Sequence, residues 1–144
     1  MIVSPIPDEQ MPTEAEILAA PDENYMDPRQ LAFFRARLLH ERETLLDAAR
    51  ETAINLQQQV DAPADPMDRA TLEEDHTLEL RVRDRERKHL HRINKALARI
   101  ENGRYGWCEE TDEPIGVRRL IVRPTATLTL EAQERRELRR RFDD

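Results

Sequence analysis

Asp65-Pro66-Met67-Asp68-Arg69-Ala70 is the stretch on which the fold turns. Residues 59–66 contain two prolines and two aspartates, so a helix entering this segment must end and the chain must turn. Proline-free sequence flanks the turn: residues 29–62 carry no glycine, and residues 67–113 carry glycine only at Gly103 and Gly106. Both flanks are dense in Leu, Ala, Glu, Arg and Gln, the residues that lose least entropy in a helix. A helix of about 30 residues is roughly 45 Å long. The chain therefore predicts a long helical rod with two carboxylates, Asp65 and Asp68, at its end.

Asp27-Pro28 supplies the start of the first helix, an acid at the cap followed by proline at the first helical position. Leu31, Phe34, Leu38, Leu45, Ala48 and Thr52 then recur at steps of three and four, with Glu41 interrupting. Asp68 is expected to cap the second helix, and Leu90, Ile93, Leu97 and Ile100 form its seam near the far end. The short turn folds the two helices back as an antiparallel coiled-coil hairpin. In that register Leu31 and Phe34 meet Leu97 and Ile100 at the base, and Ile54 and Leu56 meet Leu72 near the tip.

Charged residues make up 37% of the 144 residues and aromatics 4%, a composition suited to a narrow apolar seam rather than one thick core. The net charge of −7 is uneven: residues 1–27 hold seven acids and no Lys or Arg, and the rest balances at 23 acids and 23 bases. Four of the nine prolines fall in this leader, so residues 1–27 read as an acidic, extended, solubilising segment with one short helix around 13–20. No membrane span and no secretory signal are expected. The lone cysteine, Cys108, excludes an internal disulfide framework and suits the cytoplasm.

The expected organisation is a leader at 1–27, an antiparallel coiled coil at 28–101 with its tip at 63–70, a small head at 102–128 and a C-terminal helix at 129–144. The fold class is mainly α, with a small α/β head. In the head, all three glycines (Gly103, Gly106, Gly116) accompany Tyr105, Trp107 and Cys108. A hairpin is expected at about 104–115, then a short helix over 117–122, then a helix over 130–142.

Few residues carry chemistry. Read alone, Asp65 and Asp68 serve turn formation; placed at the end of a rod they become a functional tip. No His or Lys constellation accompanies them, so no autonomous active site and no enzyme is expected. The basic run 81–92 reads as a solvated face or as a docking surface for an acidic or phosphorylated partner. Sequence-specific DNA binding is not expected, because no aromatics interleave with these bases. Cys108-x-x-Thr111, followed by Thr129-x-x-Ala132, offers one thiol and two hydroxyls where a structural zinc site needs four strong ligands. Cys108 then reads as a buried, hydrophobe-like residue.

Over residues 28–142 the chain resembles the DksA family of RNA-polymerase-binding transcription factors. The matching blocks are Asp65-Pro66-Met67-Asp68-Arg69-Ala70, Leu78-Glu79-Leu80-Arg81, Arg83-Asp84-Arg85-Glu86-Arg87-Lys88, Gly106-Trp107-Cys108-Glu109, Ile115-Gly116-Val117-Arg118-Arg119-Leu120 and Arg123-Pro124-Thr125-Ala126. The family carries cysteines at the positions of Cys108, Thr111, Thr129 and Ala132, so the resemblance implies a zinc-independent paralogue with a degenerate zinc-finger-like head. It further implies a coil that enters the secondary channel of RNA polymerase, with Asp65, Asp68 and Ala70 at the tip and Arg85 on the polymerase rim. By the same resemblance, Arg92 and Arg123 contact the effector ppGpp, while Gln133 replaces a third basic contact. The implied function is ppGpp-assisted control of initiation in the stringent response: repression of ribosomal RNA promoters and activation of some amino-acid biosynthetic promoters. The competing readings are a Gre-like transcript-cleavage factor and a structural coiled-coil adaptor.

Overall fold

The computed structural model describes the backbone of residues 10–61 and 66–143, and the side chains of these except at 59–61, 66–70 and 72. The fold is mainly helical. A short helix α1 (Glu14–Ala19) leads through a single 3₁₀ turn to the long helices α2 (Pro28–Asp61) and α3 (Pro66–Glu101), followed by α4 (Val117–Val122) and α5 (Leu130–Asp143). The two long helices make the coiled-coil hairpin. Two compact units divide the chain: one combines residues 1–39 with 94–144, and the other comprises residues 40–93. No helix among the described residues is long and apolar enough to cross a membrane.

Local chemistry explains the helix starts. Thr13 accepts the Glu16 N–H at 3.2 Å and so caps α1. Asp27 Oδ1 accepts the Gln30 N–H (2.8 Å), and Gln30 Oε1 returns the favour to the Met26 N–H (2.9 Å), with Pro28 at the first helical position. α3 begins at Pro66, so Asp68 lies inside the helix rather than at its cap. Proline has no N–H to leave unsatisfied and its φ is already helical, which moves the start back by two residues.

In the first unit, Ile17, Phe34, Leu38, Ala96, Ile100, Tyr105, Cys108, Leu120, Leu128 and Ala132 form the core. Phe34 packs on the Tyr105 ring at 5.7 Å, and the Tyr105 hydroxyl donates to the Pro124 carbonyl at 2.7 Å. Leu97 is only half-buried, and Ala96 takes the inner position beside it. In the second unit, Leu56 is buried but Ile54 is 56% exposed, which corrects the expected pairing of both with Leu72. Residues two apart on a helix point about 200° apart and cannot share one seam. The Leu72 side chain lies outside the described residues.

The head realises its hairpin in minimal form. Among the described residues the pairing is one antiparallel bridge, Trp107 to Pro114, supported by Cys108 N–H to Glu113 O and Ile115 N–H to Gly106 O, both 2.8 Å. Trp107 and Pro114 are the non-hydrogen-bonded pair of this bridge, so the missing proline N–H costs it nothing, and the Glu113 N–H turns to the Thr111 hydroxyl instead of extending the ladder. Trp107 is not a core anchor, being 37% exposed with its ring edge-on to Tyr25 at 5.4 Å.

The leader does structural work from residue 10 onward. Ile17 is buried, Glu14 pairs with Arg37 at 3.0 Å, and the Gln10 carbonyl accepts from Arg29 at 3.3 Å. The Tyr25 hydroxyl donates to the Gly106 carbonyl and accepts the Gly116 N–H at 2.9 Å, tying together the two ends of the head loop. Burial holds this phenol above its ordinary pKa and keeps it a donor. Gly106, at φ +90°, admits the clamp: a Cβ there would meet Met26 Cγ at 2.6 Å and the Tyr25 hydroxyl at 3.2 Å. We expect Gly106→Ala to destabilise the protein by about 2–4 kcal/mol, through left-handed strain and overpacking. Tyr25→Phe should cost less, about 1–2 kcal/mol. Urea denaturation of the two variants beside the parent measures both.

Candidate functional site

The two ends of the expected function are seen unequally. Asp65 lies outside the described residues, and of Asp68 and Ala70 only the helical backbone is described. On α3, Arg81, Arg85 and Arg92 are exposed and make no ion pair among the described residues. Their neighbours Arg87 and Lys88 are committed to Asp84, at 2.7 and 3.1 Å, and these two cations hold the Asp84 carboxyl below its ordinary pKa. His89 approaches Glu41 at 3.9 Å. Arg92 belongs to the second unit and Arg123 to the first. Arg123 is exposed just after α4 and lines an open groove together with Arg118 and Val122. Gln133 donates to Glu137 at 3.0 Å. Nearby on α5, Arg136 and Arg139 converge on Glu110 at 2.8 and 3.4 Å, while Arg135 has no ion-pair partner among the described residues.

The four positions 108, 111, 129 and 132 do come together. Cys108 Sγ accepts the Thr129 N–H at 3.4 Å and the Thr129 hydroxyl at 3.9 Å. That hydroxyl oxygen in turn accepts the Ala132 N–H at 3.2 Å and so caps α5. The Thr111 hydroxyl accepts the Glu113 N–H at 3.3 Å. Cys108, Thr129 and Ala132 are all buried. One thiol, two neutral hydroxyls already engaged with the chain, and a methyl group do not fit a four-cysteine zinc centre. Among the described residues no group of three His, Cys, Asp or Glu side chains could hold a metal ion.

Cys108 is more than a small hydrophobe. Burial alone would push its thiol up from 9.0, but hydrogen bonds from the Thr111 side chain and from the N–H groups of Thr129, Glu110 and Thr111 outweigh it and bring the thiol down to about 7. The sequence contained one sign of this, hydroxyl residues at two of the three remaining positions of a two-knuckle pattern.

Arg99 escaped the sequence reading. Its guanidinium is nearly buried and donates to the carbonyls of Arg104 (2.9 Å) and Trp107 (2.6 Å), while also pairing with Glu109 at 3.3 Å. Burial would raise the Glu109 carboxyl, yet Lys95 at 2.9 Å and Arg99 hold it below its ordinary value. Nothing in the spacing distinguishes Arg99 from the solvated cations around it; only the carbonyls turned toward it by the head loop do.

A lowered thiol pKa stabilises the fold above the unfolded value, and that contribution fades as pH falls through the folded value. Stability should therefore rise between about pH 7 and pH 9, by at most roughly 3 kcal/mol. Cys108→Ser should flatten that rise. Denaturant titrations of both proteins across this range would decide.

Comparison with known proteins covers nearly the whole described chain. Residues 30–100 match the family described as DnaK suppressor protein DksA, N-terminal domain, and residues 103–138 match the prokaryotic dksA/traR C4-type zinc finger. A protein of Caulobacter vibrioides named RNA polymerase-binding transcription factor DksA is 52% identical over 83% of this chain and 84% of its own length. Its namesake in Escherichia coli is 43% identical over 83% of this chain and 79% of its own. The solved structure of transcription factor DksA2 from Pseudomonas aeruginosa superposes with a TM-score of 0.83 at 47% identity, covering 90% of this chain and 99% of that one. With the coil and the head matched in order, and with relatives this similar along most of their length, the chain belongs to the DksA/TraR family.

Proposed function

We propose that this protein is a non-enzymatic, cytoplasmic regulator that binds RNA polymerase and alters transcription initiation. The coil enters the secondary channel, with Asp65, Asp68 and Ala70 toward the catalytic centre and Arg85 against the rim. The observation that carries this reading is the kinship to proteins named for binding RNA polymerase, extending through the coil and the head alike. Arg81 and Arg85, which have no ion-pair partner among the described residues, support it, since an acidic partner surface would supply counter-charges.

In the same reading ppGpp strengthens the effect through Arg92 and Arg123. Both guanidiniums are exposed, and a guanidinium matches phosphate oxygens in a fork geometry. Arg135 stands two residues from Gln133 and offers a replacement for the cation missing there. The factor represses ribosomal RNA promoters and activates some biosynthetic ones, and it works without zinc. The hydrogen-bond chain from the Cys108 sulfur through the Thr129 hydroxyl to the Ala132 N–H supports this last point, because it already links the two knuckles that a metal would otherwise join.

In vitro transcription from a ribosomal RNA promoter, with and without ppGpp, tests the proposal. The parent should inhibit, more strongly with ppGpp, and Asp68→Asn should lose inhibition while keeping its affinity for polymerase. Equal inhibition by the two would reduce the tip to turn chemistry. A chelator should leave the melting temperature and the inhibition unchanged, and a clear drop in either would refute zinc independence.

A further inference from the structure

α3 exposes three large aliphatic residues among those described; Leu80 (47%) lines a cleft with Leu45 and Leu46, whereas Leu78 and Val82 lie outside it. Leu78 is 57% exposed and Val82 40% exposed, one helical turn apart. A single exposed aliphatic residue is ordinary on a protein surface. Here the positions 78, 82, 85, 89 and 92 follow one another at steps of four and three, which places them on one stripe of the helix, with Arg81 alongside. The stripe thus reads Leu78, Val82, Arg85, His89, Arg92. It is distinct from the seam, where Ile93 is fully buried and Glu86 buries one carboxylate oxygen.

The charge on the stripe has one sign. Arg81, Arg85 and Arg92 have no ion-pair partner among the described residues; Asp84 is held by Arg87 and Lys88, and Glu41 lies 3.9 Å from His89. The other side of the same unit differs. There Leu45, Leu46, Ala49, Leu80 and Leu90 line a cleft of about 520 Å³, but Asp84 and Glu86 share its rim with Arg83 and Arg87, so it selects no sign of charge. A phosphate backbone would match the arginines but leave Leu78 and Val82 in water. A protein surface with acidic side chains around an apolar patch would engage all of them.

We infer that Leu78 and Val82, flanked by Arg81 and Arg85, form a docking stripe for an acidic, apolar-centred surface of RNA polymerase. This rests on the polymerase reading above and extends it: affinity comes from two aliphatic side chains, while the arginines steer and orient.

The experiment measures the affinity of the full-length protein for core RNA polymerase at several salt concentrations. The variants are Leu78→Gln/Val82→Gln, Arg85→Gln, and Leu46→Gln as an exposed aliphatic outside the stripe. The double variant should bind about tenfold more weakly or worse at every salt concentration, as expected for removing two side chains buried on binding. Arg85→Gln should weaken binding most at low salt and flatten the salt dependence. Leu46→Gln should bind like the parent. Gln is as good a helix former as Leu and better than Val, so circular dichroism melting should be unchanged. Binding of the double variant within twofold of the parent would overturn the stripe while leaving polymerase binding intact. A parent that fails to bind polymerase would overturn the underlying reading first. Should sedimentation show a parent dimer that the double variant dissociates, the occupant is a second copy of this chain and the inference is wrong.

Discussion

The head is organised around the sulfur of Cys108. With one isolated bridge in place of a sheet, little backbone pairing connects the loop at 106–116 to the segment at 126–130. Glu109 N–H to Thr127 O, at 2.9 Å, is one such bond, and the donors gathered on Cys108 Sγ provide the rest. Each is a modest interaction, and ionisation of the thiol would strengthen those around it. Because Thr129 both donates to this sulfur and caps α5, the placement of the C-terminal helix and its cations depends on the same atom.

The acidic leader is the second determinant. Composition alone makes it a solvating tail, but from residue 10 its acids meet the cations at the start of α2, and Tyr25 closes on the head. Its exposed ion pairs contribute little. The burial of Ile17 and the two hydrogen bonds of Tyr25 contribute more, because each removes groups from water and satisfies them. The leader thus covers a head whose own loops are too short to enclose it.

What could be read from sequence follows a clear physical division. Helix α4 at 117–122 and the long helices were legible because Pro28, Pro66 and the glycine-rich stretch punctuate strong helix formers. The convergence of residues 108, 111, 129 and 132 was legible only through the family resemblance, which places four cysteines at these positions; the spacings alone left Cys108 a small buried residue. Contacts that depend on where a loop turns its carbonyls were not. Arg99 in sequence is one more helix cation, and Tyr25 one aromatic in an acidic tail; each acquires its role only from the carbonyls of residues 104–107. Trp107 makes the converse point: its size suits a core, yet it stands 37% exposed at the bridge to Pro114.

The coil and the head follow different rules of stability. In the first unit the positions facing inward are Phe34, Leu38, Ala96 and Ile100, all buried and apolar. In the second, Glu41 and Glu86 each bury a carboxylate oxygen that finds no hydrogen bond among the described residues. Such an atom costs on the order of 1–3 kcal/mol. Apolar residues in those places would make a firmer coil, yet the chain keeps its aliphatic residues Leu78 and Val82 outside the seam. Segments with few buried apolar contacts open at lower free energy than the core around them. A coil that gains its missing apolar burial from a partner would be most ordered when bound, so the same sequence choice that weakens it alone strengthens its dependence on the surface it meets.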